Sequence, residues 1–405
     1  MLIEAVRNGR VAGHDGLVDV VIAGGRIESI APAGGAGPGA SGLDAEGRAV
    51  LPGLVDAHVH LDKAYQLDAL VDSGAPLGTL DEALAATAAV RRGLTTADRV
   101  AGAERLLARM VRHGTAAARV HVELDPGTGL AAVRWHVELA ATWADRIDLQ
   151  LVAFPQHGLF HDPEVPVLLE EALIAGCHVV GACPYADDDA ARHVAHVAEV
   201  ADRHGRLLDL HIDFTADPGV HDLDHVVEEA RNRGWASGRV TLGHVTSLAA
   251  MTADDMGRRA TALAAAGIGL VSLPATDTYL TGTVAPFRAL IDAGVMVAVA
   301  TNNVANAFTP YGDGSLLQVA WLAGLVGRFG PGAGHRALLD TVTTAPARLL
   351  GLPRYGLAPG ADANLVVVDA DRPEQAVVGP AEVVAACHQG RLTVGSAGPL
   401  PRRPR

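Results

Sequence analysis

The chain has 405 residues, of which 49% are hydrophobic and 19% charged, with a formal charge of -14. These values describe a folded protein with a large core, long enough for one α/β barrel and a smaller appendage, and they exclude a disordered chain. The acidic balance argues against nucleic acid or an anionic membrane as partner, since both require clustered Lys and Arg, and leaves a small-molecule substrate.

The opening stretch "MLIEAVRNGRVAGHDG" lacks a basic segment followed by a long apolar one, and no apolar run reaches membrane-spanning length, so the expected location is cytoplasmic. Residues 1–52 hold short alternating runs with glycine turns. In "VDVVIAGGRIESI", Gly24-Gly25 separates two strand-like segments as a hairpin turn does. This region is expected to be the first part of a β-sandwich.

From residue 53 to 345 the pattern changes to apolar strand-like runs separated by helical ones, the mark of parallel βα units. Eight strands are expected: "GLVDAHVH" (53–60), "RVHVELD" (119–125), "LQLVAFP" (149–155), "HVVGACP" (178–184), "LLDLHID" (207–213), "VTLGHV" (240–245), "IGLVSLP" (268–274) and "VMVAVAT" (295–301). Most are joined by one amphipathic helix, such as "PVLLEEALIAG" or "DLDHVVEEARNRG", closed by glycine. Eight such units make a (β/α)8 barrel. Residues 346–405 return to short β runs, "ANLVVVDA" and "CHQGRLTVG", expected to pair with the N-terminal strands and complete the sandwich, with "GPLPRRPR" as a frayed tail. Cys177, Cys183 and Cys387 lack CxxC spacing and lie in apolar runs, so they are expected as buried free thiols.

The strongest local signal is "DAHVHLDK". His58 and His60 are two residues apart, so on a strand both imidazoles leave the same face and can meet one ion. His211 and His244 end the fifth and sixth strands, at the edge where barrel active sites lie. Imidazole suits zinc, iron, manganese or cobalt as divalent ions, and an ion with an open position lowers the pKa of a bound water. Lys63, directly after these histidines, is the lone lysine among 32 basic residues. It is expected either to pair with Asp62 or Glu123 or to bind the ligand.

Taken in order, "GRAVLPGLVDAHVHLDK", "LQLVAFPQHG", "LLDLHID", "TLGHVTSLAAM", "PYGDGSLLQVAWLAGL" and "YGLAPGADANLVVVDA" resemble the amidohydrolase superfamily, and within it the cytosine deaminase-like group. The resemblance spans nearly the whole chain. It implies a hydrolase with one divalent metal ion, zinc or iron with manganese possible, acting on a carbon–nitrogen bond of a cyclic amidine, and a homo-oligomer. It implies His58, His60 and His211 as metal ligands, His244 as the histidine beside the metal, and Gln156 as the reader of a ring edge through one donor and one acceptor face. The fourth strand carries no lysine, so two bridged metals are not expected.

Two positions depart from that family's pattern. The aspartate expected at the end of the eighth strand is Asn302, followed by Asn303, and the glutamate expected three residues after the fifth-strand histidine is Phe214. An amide is no general base near neutral pH. Asp277, Asp213, Asp62 and Glu123 are the candidate replacements, with Asp277 preferred; holding a histidine ring or capping the following helix is the ordinary role of each. His244, Asp277 and Asn302 are thus the expected catalytic residues, and Gln156, Lys63, Asn303 and Phe214 the expected substrate contacts. A catalytically silent binding protein and a ring-opening lactam or imide hydrolase are the alternatives.

Overall fold

The computed structural model describes residues 1–37 and 41–400. The chain begins with β1 (Ala5–Gly9), β2 (Val18–Ala23), β3 (Arg26–Pro32), β4 (Gly42–Asp44) and β5 (Ala49–Pro52). β2 and β3 form the expected hairpin. Its turn residues Gly24 and Gly25 both take positive φ, 57° and 78°, a conformation that costs glycine little and other residues more.

Eight parallel strands follow: β6 (Leu54–Val59), β7 (Thr115–Glu123), β8 (Asp148–Phe154), β9 (Val179–Ala182), β10 (Leu207–Ile212), β11 (Val240–His244), β12 (Gly269–Ser272) and β13 (Val297–Val299). They pair in sequence order, with helices between them, and form the expected barrel. Its last seam is made by one residue. Asn302 bridges Val59, its N–H donating to His58 O at 2.8 Å and its carbonyl accepting the His60 N–H at 2.9 Å.

The period of two along the strands decides what enters the barrel. In β7, Ala118, Val120 and Val122 join the core between strands and helices, whereas Arg119 and His121 meet Asp209 of β10 across the interior. The simple strand-helix alternation fails after β6, where three helices intervene: Leu67–Ser73, Leu80–Arg91 and Thr96–Arg112. Leu80–Arg91 starts at a capping box, Thr79 Oγ1 accepting from the Glu82 N–H and Glu82 accepting from the Thr79 N–H. Leu70, Ala83, Ala86 and Val90 of the first two helices pack with Phe214, Leu280 and Phe308, so this insertion covers the C-terminal mouth of the barrel. At the other end, Leu349 of the helix Thr344–Leu349 lies so close to Gly269 that a β-carbon there would overlap it.

Beyond the barrel come β14 (Leu365–Val368), β15 (Val383–His388), β16 (Arg391–Val394) and β17 (Gly398–Pro399). One sheet has the order β17-β4-β1-β2-β3 and the other β16-β15-β14-β5, so both ends of the chain build both sheets. Ile3, Val6, Val20, Ile27, Leu43, Val50, Leu365, Val367 and Ala385 form the core between them. The expected frayed tail is partly wrong: Gly398 and Pro399 pair with Leu43 and Asp44 of β4, while 401–405 lie outside the described residues. All three cysteines are buried and free, as expected. Among the described residues no helix is long and apolar enough to cross a membrane.

Candidate metal centre and active-site cavity

The four strand-end histidines are brought together, and the backbone shows how. Asp213, His244 and Asn302, the residues at the ends of three barrel strands, all take left-handed φ of 51°, 70° and 58°. A non-glycine residue there costs about 1 kcal/mol or more, and clusters of such residues mark functional sites.

Nε2 of His211 lies 3.1 Å from Nε2 of His58 and 3.2 Å from Nε2 of His60. Ligands at ordinary zinc–nitrogen lengths in a tetrahedral shell sit about 3.3 Å apart, so the spacing fits three nitrogens on one ion. All three rings are buried. Burial, with the neighbouring rings and, for His60, Lys63 adding to it, holds each imidazole well below its usual pKa, which keeps the ligating neutral form. A second grouping lies alongside: His58, His121, Asp209 and His211 offer ligand atoms within 4.8 Å of one another. Asp209 is already engaged by Arg119 at 2.7 Å and His121 at 3.0 Å, and neither His121 nor Asp209 lines the cavity, whereas His60 and His211 do. The face shared by His58, His60 and His211 is therefore the better seat for an ion that meets a ligand.

His244 also lines the cavity, with Phe214 stacked on its ring at 3.8 Å between centroids. Its Nδ1 is 2.6 Å from Oδ1 of Asp277, whose other oxygen accepts the Leu273 N–H at 3.2 Å. Asp277 is fully buried behind His244 and does not line the cavity. Burial raises its pKa against the pull of His244. The other candidate bases are similarly engaged. Asp213 accepts the N–H groups of Asp222 and Leu223 at 2.9 and 3.3 Å, with its pKa pushed up to about 7 by burial. Glu123 pairs with Lys63 at 3.1 Å and Arg91 at 2.6 Å; burial works to raise its pKa, but these cations hold it well below the usual range. Asp62 is buried, its pKa pushed up to about 6, and does not reach the cavity.

The cavity has a volume of about 280 Å³ and opens between the histidines and the helix Leu80–Arg91. His60, Lys63, Phe154, Gln156, His211, Phe214, His244, Asn302, Asn303 and Phe308 all line it. Gln156, Lys63, Asn303 and Phe214, the residues expected to touch substrate, are thus all on its wall. Lys63 is buried, donates to Oε1 of Gln156 and lies 5.2 Å from the Phe308 ring. Asn303 donates to Oδ1 of Asn302 at 2.9 Å, and Asn306 donates to Oδ1 of Asn303 at 2.7 Å.

The sequence reading missed the group beneath the histidines. Arg119 is fully buried, bonded to Asp209, to Thr241 at 3.0 Å, to Gln150 at 2.8 Å and to the Leu349 carbonyl at 2.7 Å. His121 stacks on His58 with ring centroids 3.9 Å apart. The available signal was the alternation Arg119, His121, Glu123, three polar groups on one face of an otherwise apolar strand.

The chain matches the model of the amidohydrolase family over residues 49–388. It is 27% identical to N-isopropylammelide isopropyl amidohydrolase of Pseudomonas sp. (strain ADP), over 96% of each chain. It is 30% identical to pterin deaminase of Rhizobium rhizogenes, over 87% of this chain and 82% of the relative. Among solved structures, 5-methylcytosine deaminase from Klebsiella pneumoniae liganded with phosphonocytosine superposes with a TM-score of 0.89 at 28% identity, covering 99% of this chain and all of that one.

Proposed function

The chain belongs to the amidohydrolase family, and from that premise we propose that it hydrolyses a non-peptide carbon–nitrogen bond of a small nitrogen heterocycle. The observation that carries the reading is the meeting of three buried imidazole Nε2 atoms beside a cavity sized for a single ring, which His60 and His211 line. His58, His60 and His211 would hold one divalent ion, zinc or iron in the first instance and manganese next. When bound, the ion lowers the pKa of a water and polarises the substrate. His244, oriented by Asp277, faces the reacting centre. Gln156 and Lys63 contact the ring edge, Phe214 forms an apolar wall beside His244, and Asn302 and Asn303 occupy the place of the proton-carrying carboxylate. The named activities of the relatives support this class, since all act on nitrogen heterocycles or their amino substituents. A cytoplasmic homo-oligomer belongs to the same proposal.

One observation favours a second reading. Among the described residues, Asp81 is the only acid lining the cavity, and it sits exposed on the covering helix. Without a carboxylate beside the histidines on the cavity wall, either a ring-opening reaction on an amide or imide or a silent binding protein accounts for the site.

Metal content measured together with ammonia release over a panel of pyrimidines, triazines and pterins separates these. Turnover by zinc- or iron-loaded protein is the expected result, and ammonia release marks a deaminase. Turnover without ammonia indicates ring opening, and full metal occupancy without any turnover overturns the enzyme reading.

A further inference from the structure

The hydrogen-bond polarity of the cavity can be followed atom by atom from groups whose direction is not negotiable. Asn306 Oδ1 accepts the backbone N–H groups of Phe308 at 3.0 Å and Thr309 at 3.1 Å. A backbone N–H only donates, so the oxygen of Asn306 must face these groups and its amide nitrogen must face Asn303. Asn303 then accepts through Oδ1 and donates through Nδ2, and Asn302 accepts through Oδ1 in turn. The last link is Nδ2 of Asn302, a buried donor with no partner among the described residues, on a side chain that is 1% exposed and lines the cavity. An unpaired buried donor costs about 1–3 kcal/mol, and a ligand acceptor would remove that cost.

The same logic holds at the opposite wall. Lys63 only donates, and it gives a hydrogen bond to Oε1 of Gln156. Gln156 is thereby oriented with its NH2 as the group left for a ligand, and its expected role as a balanced donor and acceptor is altered. Lys63 gives a second of its three N–H donors to Glu123 at 3.1 Å, which leaves one for a ligand.

We infer that the cavity recognises a ring with acceptor atoms on both edges, an oxo-substituted heterocycle of the cyclic imide or ureide type, with Asn302 Nδ2 donating to one ring oxygen and Gln156 Nε2 to another. Asn302 is accordingly a specificity-determining donor and neither a metal ligand nor a proton acceptor. The inference rests on the cavity being the substrate site proposed above and narrows the substrate class of that site.

Two measurements on the full chain test it. Zinc affinity of Asn302→Ala is expected within threefold of the parent, since Oδ1 of Asn302 is turned to the Asn303 amide; a loss of tenfold or more shows that it ligates the ion and overturns the inference. Calorimetric titration of the zinc-loaded protein with uracil, cytosine and 2,4-diaminopyrimidine is expected to give at least tenfold tighter binding of uracil than of cytosine, with the diamine weakest. Asn302→Asp, which replaces the donor by an acceptor, is expected to reverse the order of uracil and cytosine. Equal or tighter binding of cytosine by the parent, no binding of uracil at millimolar concentration, or a uracil preference that survives Asn302→Asp overturns it. Binding ratios are read without turnover, so they stand even where the hydrolase reading fails, and a reversed ratio in an active enzyme removes this inference alone.

Discussion

His244 and Asp277 form a buried pair in which Nδ1 of the ring meets Oδ1 of the carboxylate at 2.6 Å. The carboxylate also accepts the Leu273 N–H, so both its oxygens are taken and the ring hydrogen is placed on Nδ1. Nε2 of His244 is the ring nitrogen left to face the cavity. Asp277 therefore acts through His244 and cannot itself be the base that meets the substrate. For Asp277→Asn the amide no longer enforces that tautomer, and kcat is expected to fall by about 10²-fold or more with little change in KM. Zinc affinity should stay within threefold. An unchanged kcat removes the positioning role.

Lys63 connects Glu123, Gln156 and the cavity. Lys63→Met retains much of its apolar bulk against Phe308 and removes the charge that orients Gln156. Ligand affinity is expected to fall tenfold or more, and Gln156→Ala should cost little further in the Lys63→Met background, because residues in contact are not additive. Additive losses in the double variant argue that the two side chains act separately.

Gly243 in β11 sits beside His58. A β-carbon added there would lie 3.2 Å from Cε1 and 3.3 Å from Nδ1 of the ring, closer than ordinary contact. Since ligand orientation within a few tenths of an ångström governs metal affinity, Gly243→Ala is expected to weaken zinc binding by about tenfold. The melting temperature of the metal-free protein should change by only a few degrees. Unaltered zinc binding shows that His58 has room to move.

Arg119 bonds to Asp209, Thr241, Gln150 and the Leu349 carbonyl, and it is completely buried. Removing one partner of a buried ion pair costs about 3–5 kcal/mol, because the other charge is left without compensation. Arg119→Met is expected to show that loss in urea unfolding, and adding Asp209→Asn should recover part of it. A loss below about 1 kcal/mol contradicts a structural role for the network.

His136 is buried in the helix Ala131–Trp143, its Nδ1 bonded to the Ala132 carbonyl at 2.8 Å, and burial lowers its pKa from 6.5 to about 3. A histidine whose folded pKa is depressed binds fewer protons in the folded than in the unfolded state. Its contribution is fully present above 6.5 and is lost as pH falls toward 3. The stability advantage of the parent over His136→Asn is expected to shrink by about 1 kcal/mol between pH 6.5 and 5.5. A gap independent of pH over that range refutes the assignment.

The sequence alone was enough for the barrel, the two-sheet appendage and the histidine cluster. Periods of 2 and 3.6 and glycine punctuation are local, and a strand forces His58 and His60 onto one face wherever it lies. The same locality explains the misses. No spacing shows what the helices after β6 cover until Leu70, Val90 and Phe308 meet over the mouth. Arg119 and His121 look like ordinary strand residues until β10 delivers Asp209 opposite them. Most of all, no spacing states which groups engage the two oxygens of Asp277 or which way an amide points. The direction of Asn302 is set by two backbone N–H groups at Phe308 and Thr309 through two intervening side chains, and that of Gln156 by a lysine 93 positions away. Hydrogen-bond polarity is settled only when donors and acceptors from distant segments close around one space, and so the folded structure alone decided that the strand-end asparagine is a donor.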